Sequence, residues 1–478
     1  MLCVDPLDAI ALDQRRRLAT DGEWVGKGHD SVEPPVEGPL PCDVQKALDV
    51  VHDYSAAGLL SEAIDVLQRQ LPEDSTGSVH PMVRYTLAWL QLRAGDPEVA
   101  AEFRRAADMP RDYCFPARLE EIEILETAMA KQPEDARAPY YLGNLLYDRR
   151  RYEDAIAAWR RAAQLDPAFS TVHRNLGLAE FNVLRRPEQA LACYHKAFAA
   201  DPSDARVLYE LDQLRRRCGE TPRARLLLLD QHRQLVGERD DLTVEYVTLL
   251  NLLGRYEEAL GVLKARRFHP WEGGEGLVSG QWVLANLGLA QVALDTSDPA
   301  RAVECLEAAL VRPQNLGEGK HLLTPENEIQ YRLGLALRTA GRQSEAQGWL
   351  RSAATPQGDT RVPLGEPAYW QAEAFRALGD ESAATGLLEK LLWSAHQRAH
   401  QPQTIDYFAT SLPTFLVFED DLDHRNRVEC RYLEALALVG LTRRDAAISL
   451  LREILDLDQA HIGARWHLRL LGAETGQE

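Results

Sequence analysis

The feature that most constrains this chain is a pattern of small and large residues that recurs at a fixed interval. Segments 136–169, 170–202 and 328–353 each contain Leu-Gly, then Ala twelve or thirteen residues later. In each, an aromatic residue or Leu follows four residues on, and another Ala three residues beyond it. Pro133, Pro167 and Pro202 separate such segments. Small residues at this spacing predict two closely crossing helices, with a proline ending each pair.

The interval and the residue types match the signature of the tetratricopeptide repeat (TPR), a helix–turn–helix unit of 34 residues. Weaker copies in the same phase predict about ten hairpins between residues 43 and 471. One hairpin cannot bury its own apolar face, so we expect an all-α, right-handed superhelical solenoid. The predicted divisions are a helix and Pro/Gly-rich linker over 1–42, an N-terminal array over 43–235 and a C-terminal array over 236–478.

Charge and composition narrow the possible functions. The net charge is -19, which argues against nucleic acid as a partner and suits a cationic one. We find no secretory signal and no run of about eighteen apolar residues, so we expect a cytoplasmic protein that does not span a membrane. The sequence lacks the patterns of a phosphate-binding loop, a dinucleotide site, a zinc protease or a serine nucleophile. We therefore expect no cofactor, no metal and no catalytic residue that the sequence can identify.

Insertions break the repeat at one phase. Segments 237–246, 268–276, 313–322 and 400–426 each follow the second helix of a hairpin and precede the next hairpin. Loops of equal phase lie along one edge of a solenoid, which we call the rim. The rim is rich in carboxylates and carries aromatic and basic residues. We predict that ligands are bound there by Asp240, Asp241, Glu245, His269, Trp271, Glu272, Glu275, Glu318, Lys320, Asp406 and Tyr407.

Several of these loops carry a resemblance to a known family. The stretches RDDLTVE, RRFHPWEGGEG, NLGEGK, IDYFATSLP and FEDDL occur in this order. Together they resemble the C-terminal portion of a bacterial TPR family whose members carry an N-terminal domain of unknown function, numbered 5107. In the longer members a β-rich segment similar to those of carbohydrate-active proteins precedes the repeats, and we expect that segment to be missing here. The resemblance implies an architecture and a connection to carbohydrates, without an assigned activity.

Two functions remain open. The first is a binding module that presents an acidic groove and rim to a protein or peptide, without catalysis. The second is a carbohydrate-binding or glycoside-hydrolase-like protein, in which Trp271 and Tyr407 stack on a sugar beside paired carboxylates. Asp240 and Asp241 would equally suit a helix N-terminus, with Glu245 in the first turn. We favour the binding module.

Overall fold

A computed structural model describes most of the chain as helices. It covers residues 10, 13, 14 and 17 and the segments 44–71, 80–96, 99–271, 273–357, 363–403 and 417–473, and no strand occurs in this part. The chain forms two compact units, one of residues 1–185 and 192–201, the other of residues 186–191 and 202–478. The predicted linker over 1–42 lies almost wholly outside the described residues, and the predicted array boundary after residue 235 stays a prediction.

The first unit is a series of helices in which neighbours along the chain pack together. Consecutive helices pack as hairpins, α1 with α2, α3 with α4 and α6 with α7, and α5 packs beside α6. The helices are α1 Val44–Ala56, α2 Leu60–Gln68, α3 Pro81–Ala94, α4 Val99–Ala107, α5 Glu120–Lys131, α6 Arg137–Asp148, α7 Tyr152–Leu165 and α8 Ser170–Asn182, and α9 Pro187–Ala200 has residues in both units.

The second unit repeats the arrangement. Hairpins form between α10 and α11, α13 and α14, α15 and α16, α17 and α18, α19 and α20, and α21 and α22. The helices are α10 Ala205–Arg217, α11 Pro222–Gln231, α12 Arg233–Val236, α13 Asp240–Leu252, α14 Tyr256–Ala265, α15 Leu277–Asp295, α16 Pro299–Leu310, α17 Asn327–Thr339, α18 Gln343–Ala353, α19 Glu366–Ala377, α20 Glu381–Arg398, α21 Leu422–Gly440, α22 Arg444–Leu457 and α23 Ile462–Leu470.

The small residues of the repeat allow the two helices of a hairpin to pack closely, as their spacing predicts. A Cβ atom on Gly143 of α6 would lie 2.4 Å from the indole of Trp159 on α7, closer than van der Waals contact allows. Trp159 is buried, and its Nε1 donates to the Asn144 side chain at 3.1 Å. Glycine therefore lets the large ring fill the space within its own hairpin, where Ala155 and Ala162 are also fully buried.

Helix α15 is long and apolar enough to cross a membrane by length and composition, and it is the one helix of the described residues that passes this test. Half of the most apolar 18-residue stretch of this helix is buried in the protein. Its neighbours α14 and α16 cover that side, and Trp282 donates its indole N–H to the carbonyl of Ala308 on α16 at 3.1 Å. These contacts are those of a core helix in a repeat array.

The last helix, α23, leaves the hairpin pattern and lies across the first helices of earlier hairpins in the second unit. Arg469 donates to the carbonyl of Leu252 at the end of α13, at 2.5 Å, and to the Tyr256 hydroxyl at 3.1 Å. The Arg332 guanidinium of α17 lies 4.9 Å from the centre of the Trp466 ring. His467 is buried against aromatic rings of α19 and α21. Part of the face on which we expected an open groove is therefore covered by α23.

Arg469→Ala tests how much this docking stabilises the second unit. The variant removes two hydrogen bonds across more than 200 residues of chain, and we expect the free energy of unfolding to fall by about 2 kcal/mol. Urea unfolding followed by circular dichroism measures the change. Arg338→Ala, at an exposed arginine of α17, is the matched control and should change stability by less than about 0.5 kcal/mol. Equal stability of the two variants would contradict the docking role.

Candidate functional site

The rim loops are joined to one another by side chains that bind backbone groups. Asp240, the first residue of α13, accepts hydrogen bonds from the backbone N–H of His269 at 2.9 Å and from Arg266 Nε at 2.5 Å. Burial opposes the charge on Asp240, but the His269 amide and the Arg266 guanidinium outweigh it and lower the pKa of the carboxyl group. Asp240 therefore fixes the start of the loop that follows α14.

The same loop is bound from its other side by the loop after α16. The backbone N–H of Phe268 donates to the Asn315 carbonyl at 2.8 Å, and the Asn315 side-chain amide donates to the carbonyls of Leu263 and Arg266 at 2.8 Å each. Gly317 has a φ of 77°, and a Cβ atom there would lie 2.4 Å from the Phe268 carbonyl oxygen. Only glycine fits this position, so the two loops approach backbone to backbone.

Glu318 completes the connection. Its two carboxylate oxygens accept hydrogen bonds from the backbone N–H groups of Gly276 and Ser279, both at 2.7 Å. These amides belong to the first turn of α15, where helix geometry leaves N–H groups without partners and the helix dipole favours negative charge. Glu318 therefore caps a helix that begins 41 residues earlier in the chain, at Leu277, and its carboxylate is committed to that role.

Between these loops lies a concave site of about 330 Å³, which we call the rim cavity. It brings together four of the residues predicted from the sequence, with neighbouring apolar groups. The lining consists of His269, Pro270, Trp271, Gly274, Glu275, Val278, Leu316 and Glu318. The Trp271 ring rests on the backbone of Gly274, and the His269 side chain is 76% exposed. No hydrogen bond or ion pair holds Glu275 within the described part of the chain.

Three other predicted residues have structural partners and do not line the rim cavity. Asp241 forms a bidentate ion pair with Arg239, at 3.0 and 2.7 Å. Lys320 binds Glu326 at 3.1 Å. Asp240 does not line the cavity either. Glu272, Asp406 and Tyr407 lie outside the described residues, so their predicted roles stay predictions.

Glu245 belongs to a buried ion cluster. Arg225 of α11 is 1% exposed and donates to both carboxylate oxygens of Asp212, at 2.9 and 2.5 Å. The same guanidinium donates to Glu245 of α13 at 3.1 Å. A buried charge needs such compensation, because burying it alone costs several kcal/mol. Glu245 therefore holds α11 against α13 and is not among the residues that line the rim cavity.

A second concave site, of about 370 Å³, lies between α23 and the helices that it crosses, and we call it the inner cavity. None of the sequence patterns described above predicted it. Its polar and aromatic lining comes from five helices of the second unit, α10, α17, α19, α21 and α23, and from the turn between α22 and α23. These polar and aromatic residues are Arg216, Glu328, Glu366, Glu429, Tyr432, Asp458, His461 and Trp466.

Glu366 is the central carboxylate of the inner cavity. It accepts hydrogen bonds from the Tyr432 hydroxyl at 3.0 Å and from Trp370 Nε1 at 3.3 Å. Burial, reinforced by the negative charge of Glu328, raises the pKa of Glu366 to about 7. Burial also raises the pKa values of Glu328 and Glu429. Placing a further negative charge in the cavity would therefore be strongly unfavourable.

One sequence signal would have indicated this cavity. Glu-x-x-Tyr occurs at 328–331, 366–369 and 429–432, near the start or in the first half of three successive first helices, α17, α19 and α21. Each glutamate by itself is an ordinary polar residue of a helix. Their convergence depends on α23, which closes the cavity from the other side.

Glu318→Ala should destabilise the rim, because it leaves two helix-start N–H groups without their acceptor. We expect the free energy of unfolding to fall by about 1 kcal/mol. The matched control is Glu275→Ala in the same cavity, which removes no hydrogen bond of the described residues and should change stability by less than about 0.5 kcal/mol. Thermal and urea unfolding measure both. An equal effect of the two variants would contradict the capping role.

Glu366→Gln should stabilise the protein in a pH-dependent way. A carboxyl group whose pKa rises on folding, here from 4.5 to about 7, binds more protons in the folded state, so its contribution to stability falls as pH rises through this window. Glutamine keeps an acceptor for Tyr432 and Trp370 without the charge. We expect the variant to exceed the wild type by about 1–2 kcal/mol at pH 8 and by less at pH 5.

Melting curves of both proteins at pH 5 and pH 8 test this prediction. Glu304→Gln, at an exposed glutamate of α16 that pairs with Arg301, is the matched control and should show no such change with pH. A difference between wild type and Glu366→Gln that does not grow with pH would contradict the assignment.

Comparisons with known proteins bear on the repeat. A family model described as "TPR repeat" matches residues 143–182, and one described as "Tetratricopeptide repeat" matches residues 287–359. The first segment contains the second half of α6 and all of α7 and α8, and the second runs from the middle of α15 past the end of α18. Both coincide with the segments in which the small-residue pattern is clearest.

Solved structures of TPR proteins match parts of the chain. YrrB, described as a TPR protein with an unusual peptide-binding site, is 19% identical and covers 40% of this chain and 92% of its own, with a TM-score of 0.31. A thermophilic TPR protein of Thermus thermophilus is 21% identical, covers 43% and 98%, and has a TM-score of 0.25. The C-terminal part of a TPR protein from Cytophaga hutchinsonii is 14% identical, covers 58% and 100%, and has a TM-score of 0.33.

The predicted fold class is confirmed by the helical hairpins together with the family models. The resemblance to proteins that carry the domain of unknown function 5107 stays a prediction. The chain contains tetratricopeptide repeats and has the α-solenoid fold of TPR proteins, whose extended surfaces serve as scaffolds for protein interactions.

Proposed function

We propose that this protein is an interaction scaffold that binds a protein or peptide partner at the rim cavity and carries out no chemistry of its own. The observation that supports this most is that some rim residues bind the loops to each other while others line the cavity. Asp240, Asn315 and Glu318 bind the loops to each other. Trp271 and Glu275 line a preformed concave surface beside them, together with His269, whose ring contacts Asp240 at 3.3 Å. A preformed site reduces the entropy lost on binding.

The chemistry of the rim favours a partner segment with apolar and cationic side chains. Trp271, Pro270, Val278 and Leu316 offer apolar contact within the cavity, and Glu275 offers a carboxylate. Tryptophan is among the residues that contribute most to binding at protein interfaces. The net charge of -19 attracts a basic segment over a longer range. Since α23 covers part of the inner face of the second unit, the rim is the more accessible surface there.

Trp271→Ala tests the proposal. Random peptides displayed on phage are selected on the full chain, and selected peptides are then titrated against each variant by fluorescence polarisation. We expect enriched peptides rich in Lys or Arg, with affinity at least about tenfold weaker for Trp271→Ala because the main apolar contact is lost. The matched control is Trp393→Ala, at a tryptophan of α20 that is 68% exposed, and it should bind as the wild type does.

Two results would contradict the proposal. One is a selection that enriches no peptide above background on the wild-type chain. The other is a set of peptides that bind the wild type and Trp271→Ala with equal affinity, since the partner surface would then lie elsewhere.

A second candidate function is carbohydrate binding at the same cavity. The specific observation in its favour is the Trp271 ring beside the Glu275 carboxylate, because aromatic faces and carboxylates are suited to contact a sugar ring and its hydroxyl groups. Hydrolysis of a glycosidic bond needs two available carboxyl groups. Glu318 is occupied by the α15 amides, which leaves Glu275 alone among the described residues of the cavity. This candidate is therefore a binding function.

An oligosaccharide array separates the two candidates. Binding of a defined glycan by the wild type and by Trp393→Ala, with loss in Trp271→Ala, would favour the carbohydrate function. The absence of binding across the array would contradict it, and leaves the peptide selection to decide the first proposal.

A further inference from the structure

We propose that the inner cavity is a separate binding site for a primary amine that carries a neighbouring carbonyl or hydroxyl oxygen. The N-terminal residue of a peptide and an amino sugar both have this chemistry. The inference is independent of the function proposed for the rim cavity, since the two sites share no lining residue.

The first reason is the convergence of the repeated glutamates. Glu328, Glu366 and Glu429 come from three successive first helices at the same place in the Glu-x-x-Tyr pattern, and all three line the inner cavity. The Tyr432 hydroxyl of the third copy donates to Glu366 of the second at 3.0 Å. Equivalent positions of stacked repeats present equivalent side chains to one surface. A single site thus receives three carboxyl groups.

The second reason is that two of these carboxylates lack a compensating cation. Glu328 pairs with Arg332 at 2.8 Å, and Asp458 pairs with Arg216 at 3.3 Å. Glu366 forms no ion pair within the described residues, and neither does Glu429, whose side chain is partly open to solvent. Arg398 stabilises the charge of Glu429 only from a distance, and its own guanidinium donates to the Leu364 carbonyl. The cavity is therefore short of positive charge, and a bound ammonium group would supply it.

The third reason is an unused hydrogen-bond donor. Trp466 of α23 lines the cavity and is 7% exposed, and its buried Nε1 has no acceptor in hydrogen-bonding geometry within the described chain, although the Glu328 carboxylate is close enough to interact with it. A buried donor placed in this way favours an additional acceptor. An oxygen atom of the ligand next to its amine would accept from this group while the ammonium contacts Glu366 and Glu429.

The size and the aromatic lining agree with this ligand class. A volume of about 370 Å³ is at the lower end of small-molecule sites and suits a single residue or monosaccharide. The rings of Tyr432 and Trp466 provide faces that attract ammonium groups. Neither histidine near the cavity competes for the anionic site, because burial lowers the pKa of His461 and lowers that of His467 to about 3.

Binding should release protons near neutral pH. Burial raises the pKa of Glu366 to about 7, and a bound cation favours its charged form, so affinity should rise as pH increases from 6 to 7. Above pH 7 the rise should level off, because the ligand's own amine, with a pKa of about 8, begins to lose its proton. The titratable and charged groups that surround Glu366 come from every element packed against the cavity. They are Glu328 and Arg332 on α17, Tyr432 and Glu429 on α21, Arg216 on α10, Asp458 at the end of α22, and His461 and His467 at α23.

Isothermal titration calorimetry on the full chain tests the site with four probes. Alaninamide represents a peptide N-terminus, glucosamine represents an amino sugar, and N-acetylalaninamide and N-acetylglucosamine are their uncharged counterparts. We expect at least one amine to bind, with its acetylated form at least tenfold weaker. The tighter of the two amines identifies the source of the ligand. Titrations at pH 7 in buffers of different ionisation enthalpy should give different binding enthalpies, because binding transfers protons from the protein to the buffer.

Variants assign the binding to the cavity. Glu366→Gln and Glu429→Gln should each weaken the amine at least tenfold and remain folded by circular dichroism, while Glu304→Gln, at an exposed glutamate of α16, should bind as the wild type does. Three outcomes would overturn the proposal: neither amine binds, the acetylated probes bind as tightly, or both cavity variants keep full affinity.

Discussion

The second unit depends on one docking event, the return of α23 to hairpins that precede it by more than 200 residues at the farthest contact. Arg469 reaches the end of α13 and the start of α14, while Trp466 and His467 pack with side chains of α17, α19 and α21. In an ordinary solenoid each repeat contacts only its neighbours. Here the last helix spans several repeats at once. It covers apolar and aromatic groups of the inner face and forms one wall of the inner cavity.

The parts of this structure that the sequence predicts are those encoded by local patterns. The contact between Gly143 and Trp159 can be predicted because the two positions keep the spacing of the hairpin. The loops at 268–276 and 313–322 were predictable because each interrupts that spacing at the same phase. Most of the predicted loop 237–246 is instead the first part of helix α13, which begins at Asp240. The sequence also identified His269, Trp271, Glu275 and Glu318 as neighbours across more than forty residues. Register in a repeat array is a strong constraint, and these residues of different loops do line one cavity. Their role in binding a ligand stays a prediction.

The roles of the acidic residues were less predictable, because they depend on partners that are distant in sequence. From the sequence, Asp240 suits a helix start, a ligand site or a contact between loops equally well. In the structure it accepts hydrogen bonds from Arg266 and His269, which makes it a contact between loops. Glu245 is committed to Arg225, which no spacing rule connects to it. The inner cavity was missed for the same reason. Three glutamates of different hairpins acquire a common function only when α23 packs against them.

The bonding of the rim loops separates residues that set the path of the chain from residues that face the cavity. Asp240, Asn315, Gly317 and Glu318 hold backbone groups in place, whereas His269, Trp271 and Glu275 project from that fixed path. Substitutions among the projecting residues would alter the shape and charge of the cavity without disturbing its walls. The loops thus resemble a framework with variable positions, an arrangement that lets one scaffold acquire new binding specificities through few mutations.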